Sequence, residues 1–197
     1  AVAAVEAMSA AGWRISAAAI ERGLAEVRWP ARAEIVTRGP PLVLADGAHN
    51  DASARALAAT LARHFPGRSP VVLVAGGTFG HDYTSTARTL ARACAADRGQ
   101  SAVHLVVTRS RHPKAVPPAE FAAALKDDNV HVAAKEPDMA AALETARAMA
   151  GRSGIVAATG SLFIAAESIE LIKGTESELY PALKGAFTQP YATGAGV

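Results

Sequence analysis

Four short stretches of this sequence gather side chains able to do chemistry, and each follows an apolar run. Asp46-Gly47-Ala48-His49-Asn50 comes after Leu42–Ala45. A carboxylate there can accept hydrogen bonds from a sugar diol, and a helix starting next to it offers free backbone N–H groups to an anion. Asp46 could equally cap that helix, and the residues alone leave both uses open. Gly76-Gly77-Thr78-Phe79-Gly80-His81-Asp82 comes after Val71–Ala75. Its glycines permit close backbone approach to a ligand, and His81 can carry a proton or a hydrogen bond. A plain strand-to-helix turn fits the same residues. No Gly-Lys-Ser/Thr follows, so this is not a Walker A loop.

The third stretch, Arg109-Ser110-Arg111-His112-Pro113-Lys114, follows residues 103–108. Its cations and histidine suit a carboxylate or phosphate, or simply form a solvated basic loop. The fourth, Thr159-Gly160-Ser161, follows residues 155–158. Hydroxyl groups at a helix start can bind a carboxylate together with backbone N–H groups, and Ser161 can cap the helix at the same time. A Gly-x-Ser-x-Gly elbow is absent, which removes support for a serine hydrolase of the α/β type.

The elements that must position these loops alternate regularly. Strands are expected at residues 33–36, Leu42–Ala45, Val71–Ala75, 103–108, 130–132 and 155–158. Helices are expected at Asp51–His64, 84–96, 117–125 (opened by proline), 137–149 and 161–172. Continuous Val-rich strands separated by amphipathic helices predict an α/β, Rossmann-like fold, a mainly parallel sheet with helices on both faces. Such sheets bind ligands outside the carboxyl ends of their strands, so Asp46, Gly76, Arg109 and Thr159 should share one edge.

Two helical patterns precede the alternation. Val2, Val5 and Met8 share a face, Gly12 interrupts, and Ser16 can cap a second helix bearing Ala19, Ile20 and Leu24. Trp29-Pro30 ends the helical register. Residues 174–197 are rich in Gly, Pro and Thr without periodicity, and are read as a tail.

The 197 residues suit one domain with tails, and half of them are hydrophobic. A net charge of +2 without charged blocks gives no reason to expect nucleic acid or a membrane surface as partner. The single cysteine, Cys94, excludes an intrachain disulfide and a Cys-rich zinc site; its place in a helical run predicts a buried thiol. No other metal site is expected, because no second His/Asp pair backs His81-Asp82. No apolar run approaches the roughly 20 residues that span a bilayer. Ala1-Val2-Ala3-Ala4 reads as the middle of a helix from a longer protein, so any targeting peptide would precede it.

The order and spacing of three segments resemble one family. Trp29-Pro30-Ala31-Arg32-Ala33-Glu34, then Leu42 to Asn50, then Thr159-Gly160-Ser161-Leu162-Phe163, are similar to the C-terminal half of the folylpolyglutamate/dihydrofolate synthases, within the Mur ligases. That family carries Pro-Gly-Arg-x-Glu, Asp-Gly-Ala-His-Asn-Pro and Thr-Gly-Ser-Leu in this order. The likeness covers roughly residues 13–172.

The resemblance implies an ATP-dependent ligase in which a carboxylate is phosphorylated and an amino acid's amine displaces the phosphate. Arg32 would then be the catalytic arginine reaching ATP phosphates. Asp46 and His49 would contact the nucleotide, Asp46 at the ribose, with Asn50 in support. His81, Asp82, Lys114, Thr159 and Ser161 would face the incoming L-glutamate. The folate-type acceptor, the Walker A loop and the Mg²⁺ ligands would belong to an N-terminal ATPase domain. Residues 1–28 would then be that domain's helical tail and linker, residues 29–173 the glutamate ligase domain, and residues 174–197 the tail. Taken alone, the chain is expected to be inactive, monomeric and part of one-carbon metabolism. The cytoplasm is the expected compartment, with mitochondrion and plastid left open. Two alternatives stand beside this: another Mur-type amide ligase, and a non-catalytic nucleotide-binding module. Departures are Ala31 for glycine, Asp51 for proline, His81 for lysine and Lys114 for arginine.

Overall fold

A computed structural model describes residues 2–126 and 130–176; residues 127–129 and most of the expected tail, 177–197, lie outside the described residues. The chain divides into two compact units, Ala1–Pro30 and Ala31–Val197.

The first unit holds helices α1 (Val2–Ala10) and α2 (Ala17–Glu26). Ser16 is extended, and its hydroxyl accepts the Ala19 N–H at 3.2 Å, the expected N-cap. Gly12 turns the chain between the helices at φ 91°. Neither helix buries a residue.

The second unit is a six-stranded sheet in the order β1-β2-β6-β3-β4-β5. The strands are β1 (Glu34–Thr37), β2 (Leu42–Ala45), β3 (Val71–Ala75), β4 (Val103–Val107), β5 (Val132–Lys135) and β6 (Ile155–Thr159). Every pairing is parallel except β1 with β2 at one edge. The helices are α3 (Asp51–His64), α4 (Tyr83–Arg98), α5 (Pro118–Ala124), α6 (Met139–Ala150) and α7 (Leu162–Lys173).

The alternation of β3 shows why this sequence folds so. Val71, Leu73 and Ala75 join a core with Leu57, Leu61, Leu90 and Phe121, from α3, α4 and α5. Val72 and Val74 join a second core with Met139, Leu143 and Ile164, from α6 and α7. Both faces are covered, so all five residues of β3 are buried, as a parallel sheet requires. Leu44, Leu61, Leu73, Leu90 and Leu105 are essentially inaccessible, and each contributes about 1.5–3 kcal/mol by its burial.

Most boundaries fall within one or two residues of expectation, and two of the shifts have a clear physical cause. The fifth strand runs over Val132–Lys135 rather than 130–132, because Ala134 and Lys135 pair with Val106 and Val107. Alanine gives little strand signal, so only the neighbour reveals the register. Helix α6 starts at Met139 rather than 137, since Asp138 is extended and accepts the Ala141 N–H at 2.9 Å.

Candidate functional site

All four chemistry-bearing stretches leave the carboxyl ends of strands and meet along one edge. Backbone bonds continue the sheet into them. Asp46 N–H donates to Ala158 O at 3.0 Å, Gly160 N–H to Ala48 O at 3.0 Å, and Thr108 N–H to Ala75 O at 2.9 Å. The loops after β3 and β4 are stitched together further out. Phe79 N–H donates to Lys114 O at 2.8 Å and Val116 N–H to Gly77 O at 3.0 Å, on either side of a bridge between Thr78 and Ala115.

Asp46 is half-buried and both its oxygens are engaged. Oδ1 accepts the Ala48 N–H at 2.8 Å, and Oδ2 accepts the Ala33 N–H at 2.7 Å. A carboxylate offers about four lone-pair positions, so acceptor capacity remains for a ligand hydroxyl. Arg32 is exposed, in a turn where Ala31 and Ala33 hold φ of 58° and 46°. That left-handed region costs an alanine roughly 1–2 kcal/mol, so the turn must be held from outside. Glu34 helps hold it: its carboxylate accepts the Ala31 N–H at 3.0 Å and pairs with Lys173 Nζ at 2.7 Å. Burial works against the charged form of Glu34, but Lys173 and the Ala31 N–H outweigh it and hold the pKa below the ordinary value.

His49 and His81 leave different loops and meet edge to face, with ring centroids 6.3 Å apart. His49 Nδ1 lies 2.9 Å from Gly47 O. A carbonyl can only accept, so Nδ1 carries the proton in this bond, which leaves Nε2 as the acceptor of the uncharged ring.

Three expected ligand residues also have local work. Asn50 Oδ1 accepts the Ser53 N–H at 2.9 Å and closes a capping box on α3. Asp82 Oδ1 accepts the Ser85 N–H and the Thr84 hydroxyl, capping α4; these two bonds hold its carboxyl below the ordinary range. Ser161 Oγ accepts the Ile164 N–H at 3.2 Å, capping α7, and is buried. Thr159 is different: its hydroxyl is buried at the end of β6 and has no hydrogen-bond partner among the described residues, as is also true of Thr78 and Thr108. Lys114 takes part through its backbone, its N–H donating to His112 Nδ1 at 3.1 Å.

Two of the three glycines of the second loop face close neighbours, while Gly80 has open space around it. A Cβ on Gly76 would lie 2.4 Å from Ile164 Cδ1, and one on Gly77 2.6 Å from the Tyr83 ring. Both therefore let α7 and α4 pack closely, rather than opening the backbone to a ligand.

Glu167 escaped the sequence reading because an isolated Glu on a helix looks solvated. It is only 4% exposed and accepts the Arg111 N–H at 2.6 Å. Burial pushes its carboxyl above the ordinary range, against the Arg111 groups that favour its charge. Arg111 also pairs with Glu170, and His112 stacks on Phe163 at 4.1 Å. An open cleft of about 510 Å³ lies here, lined by Arg109, Ser110, His112, Pro137, Asp138 and Glu167. Among the described residues, no group of three or more His, Cys, Asp or Glu could hold a metal ion, and no helix is long and apolar enough to cross a membrane.

Comparison with known proteins gives a consistent family. The model of the Mur ligase, glutamate ligase domain, matches residues 31–162. A folylpolyglutamate synthase of Lacticaseibacillus casei is 33% identical over 111 residues, covering 56% of this chain and 24% of that protein. Among solved structures, Mycobacterium tuberculosis folylpolyglutamate synthase complexed with ADP is 28% identical with a TM-score of 0.68, covering 82% of this chain and 36% of that one. E. coli FolC in complex with ADP, without folate substrate, is 25% identical with a TM-score of 0.69, covering 87% of this chain and 38% of that one. The chain thus spans about a quarter of the length of the curated relative and over a third of the solved ones.

Proposed function

This chain belongs to the Mur ligase family as its glutamate ligase domain, and from that premise we propose that it is the amino-acid-adding part of an ATP-dependent, folylpolyglutamate synthase-like ligase. The observation that carries the proposal is the shared edge. The Arg32 turn, the Asp46–Asn50 loop, the stitched His81 and Lys114 loops and Thr159 all lie along the carboxyl ends of neighbouring parallel strands. Ligands of such sheets bind there.

The reaction would be amide formation between a folate or pteroate carboxyl and the amine of L-glutamate. The γ-phosphoryl group of ATP passes to the carboxylate, the amine forms the C–N bond, and phosphate leaves. Arg32 stabilises the charge that grows on the phosphoryl oxygens, often the largest single catalytic contribution. His49 Nε2 and the remaining acceptor positions of Asp46 suit nucleotide hydroxyl or amine donors, and Asn50 supports both by fixing the start of α3. Thr159, with its unpartnered hydroxyl, and the first turns of α4 and α7 suit a carboxylate of glutamate. His81, Asp82, Lys114 and Ser161 complete that side. Mg²⁺, the Walker A loop and the acceptor site are assigned to a preceding ATPase domain, and none of these residues is assigned to metal.

The test is turnover by the full-length ligase with ATP, L-glutamate and a reduced folate or dihydropteroate. One glutamyl residue should be added per ADP and phosphate released, as read by mass spectrometry. Transfer of a different amino acid, or ATP hydrolysis without a glutamyl product, would overturn the assignment.

A further inference from the structure

Residues on both sides of Arg32 hang from a single dipeptide. Asp46 Oδ2 accepts the Ala33 N–H at 2.7 Å, and Gly47 N–H donates to Ala31 O at 2.8 Å. Ala31 and Ala33 both hold positive φ, a conformation alanine keeps only where its surroundings over-determine it. The dipeptide is itself fixed to the sheet, because Asp46 N–H donates to Ala158 O near the end of β6. Nor can the carboxylate rotate freely, since Oδ1 accepts the Ala48 N–H at 2.8 Å.

We propose that Asp46 is a positioning residue for Arg32: its carboxylate sets the direction in which Arg32 leaves the sheet edge, and its effect on the reaction passes through Arg32. The inference rests on the ligase reading above. Its chemistry is specific to a carboxylate. Two backbone N–H groups converge on Asp46 from positions 33 and 48, and only a group with an acceptor on each arm satisfies both. An amide of the same shape turns an N–H toward one of these donors. The turn is then released on one side of Arg32, while Glu34 and Gly47 still hold the other at Ala31. A guanidinium aimed at a developing charge loses its effect steeply with displacement, about 100-fold in rate for 1 Å. A contact to ribose would act instead on the affinity for ATP, so the two roles separate kinetically.

The experiment is a double-mutant cycle in the full-length ligase with Asp46→Asn, Arg32→Ala and the pair, reading kcat and the KM for ATP. Asp46→Asn alone is expected to lower kcat about 10- to 100-fold. Added to Arg32→Ala it should lower kcat by less than about 3-fold more, because the residue it positions is already gone. Multiplicative losses in the pair would overturn the inference, as would an Asp46→Asn enzyme with raised KM and unchanged kcat. Should Asp46→Asn fail to fold, amide hydrogen exchange in the wild-type protein decides. The Ala33 N–H must be protected, and exchange at the rate of a free peptide would overturn the inference. A wild-type ligase with no ATP-dependent turnover would sink the ligase reading and this inference with it. Multiplicative losses in an active enzyme would sink this inference alone.

Discussion

Ser85 Oγ donates to Asp51 Oδ1 at 2.7 Å, tying the first turn of α4 to the first residue of α3 across 34 positions of sequence. His49 and His81 lie just before these two turns, and their rings meet edge to face. Asp51 also places a negative charge at a helix N-terminus, where the backbone dipole favours it.

Replacing Asp51 separates these contributions. Asp51→Ala should cost about 1 kcal/mol in denaturant unfolding, from the lost hydrogen bond and dipole interaction. Asp51→Pro should cost less, because proline suits the first helical position and Asn50, at φ −150° and ψ 168°, already has the extended geometry that precedes proline. A proline variant less stable than the alanine variant would contradict this reading of the helix start.

The acid side of the stability profile should carry a signature of His112. Burial and, to a lesser extent, the neighbouring Lys114 lower its pKa below the usual value of 6.5. The unfolded chain therefore binds more protons than the folded one just below pH 6.5, and stability must fall as pH falls through that window. His112→Phe keeps an aromatic ring beside Phe163 and removes the titration. Its melting temperature should fall less than that of the wild type between pH 7 and pH 5; parallel profiles would contradict the assignment.

Much of the fold was legible because its signals are local. The continuous apolar run of β3, flanked by helical patterns, predicts a strand covered on both faces, and Leu73 and Val74 do enter opposite cores. Ser16 and Ser161 cap the helices expected of them. Long-range pairing was not legible. The place of β6 between β2 and β3 leaves no local trace, and Ala134 becomes a strand residue only through Val106. At the site, residue types marked four loops that share one edge of the sheet, but not the packing and backbone bonds that some of their residues also make. Gly76 and Gly77 make room for Ile164 and Tyr83, and the grip of Asp46 on Ala33 spans 13 residues in no sequence pattern.

Nucleotide binding by this chain alone should be weak. Only Arg32 and the contacts beside Asp46 and His49 are assigned to it, and these few interactions gain little once the association costs of several kcal/mol are met. Titration calorimetry with ATP should give a Kd well above about 1 μM. Submicromolar binding would place the phosphate cradle within these 197 residues, contrary to the proposal.

The most direct test of the proposed chemistry is Arg32→Ala in the full-length ligase, with kcat for glutamate addition and melting temperature measured together. The contacts of an exposed arginine are screened by solvent and typically contribute only about 0–1 kcal/mol to folding. A preorganised cation facing phosphoryl charge contributes far more to the rate, so kcat should fall at least about 100-fold while the melting temperature hardly moves. Near-normal kcat with a lowered melting temperature would contradict it, and would make Arg32 a structural residue of the turn.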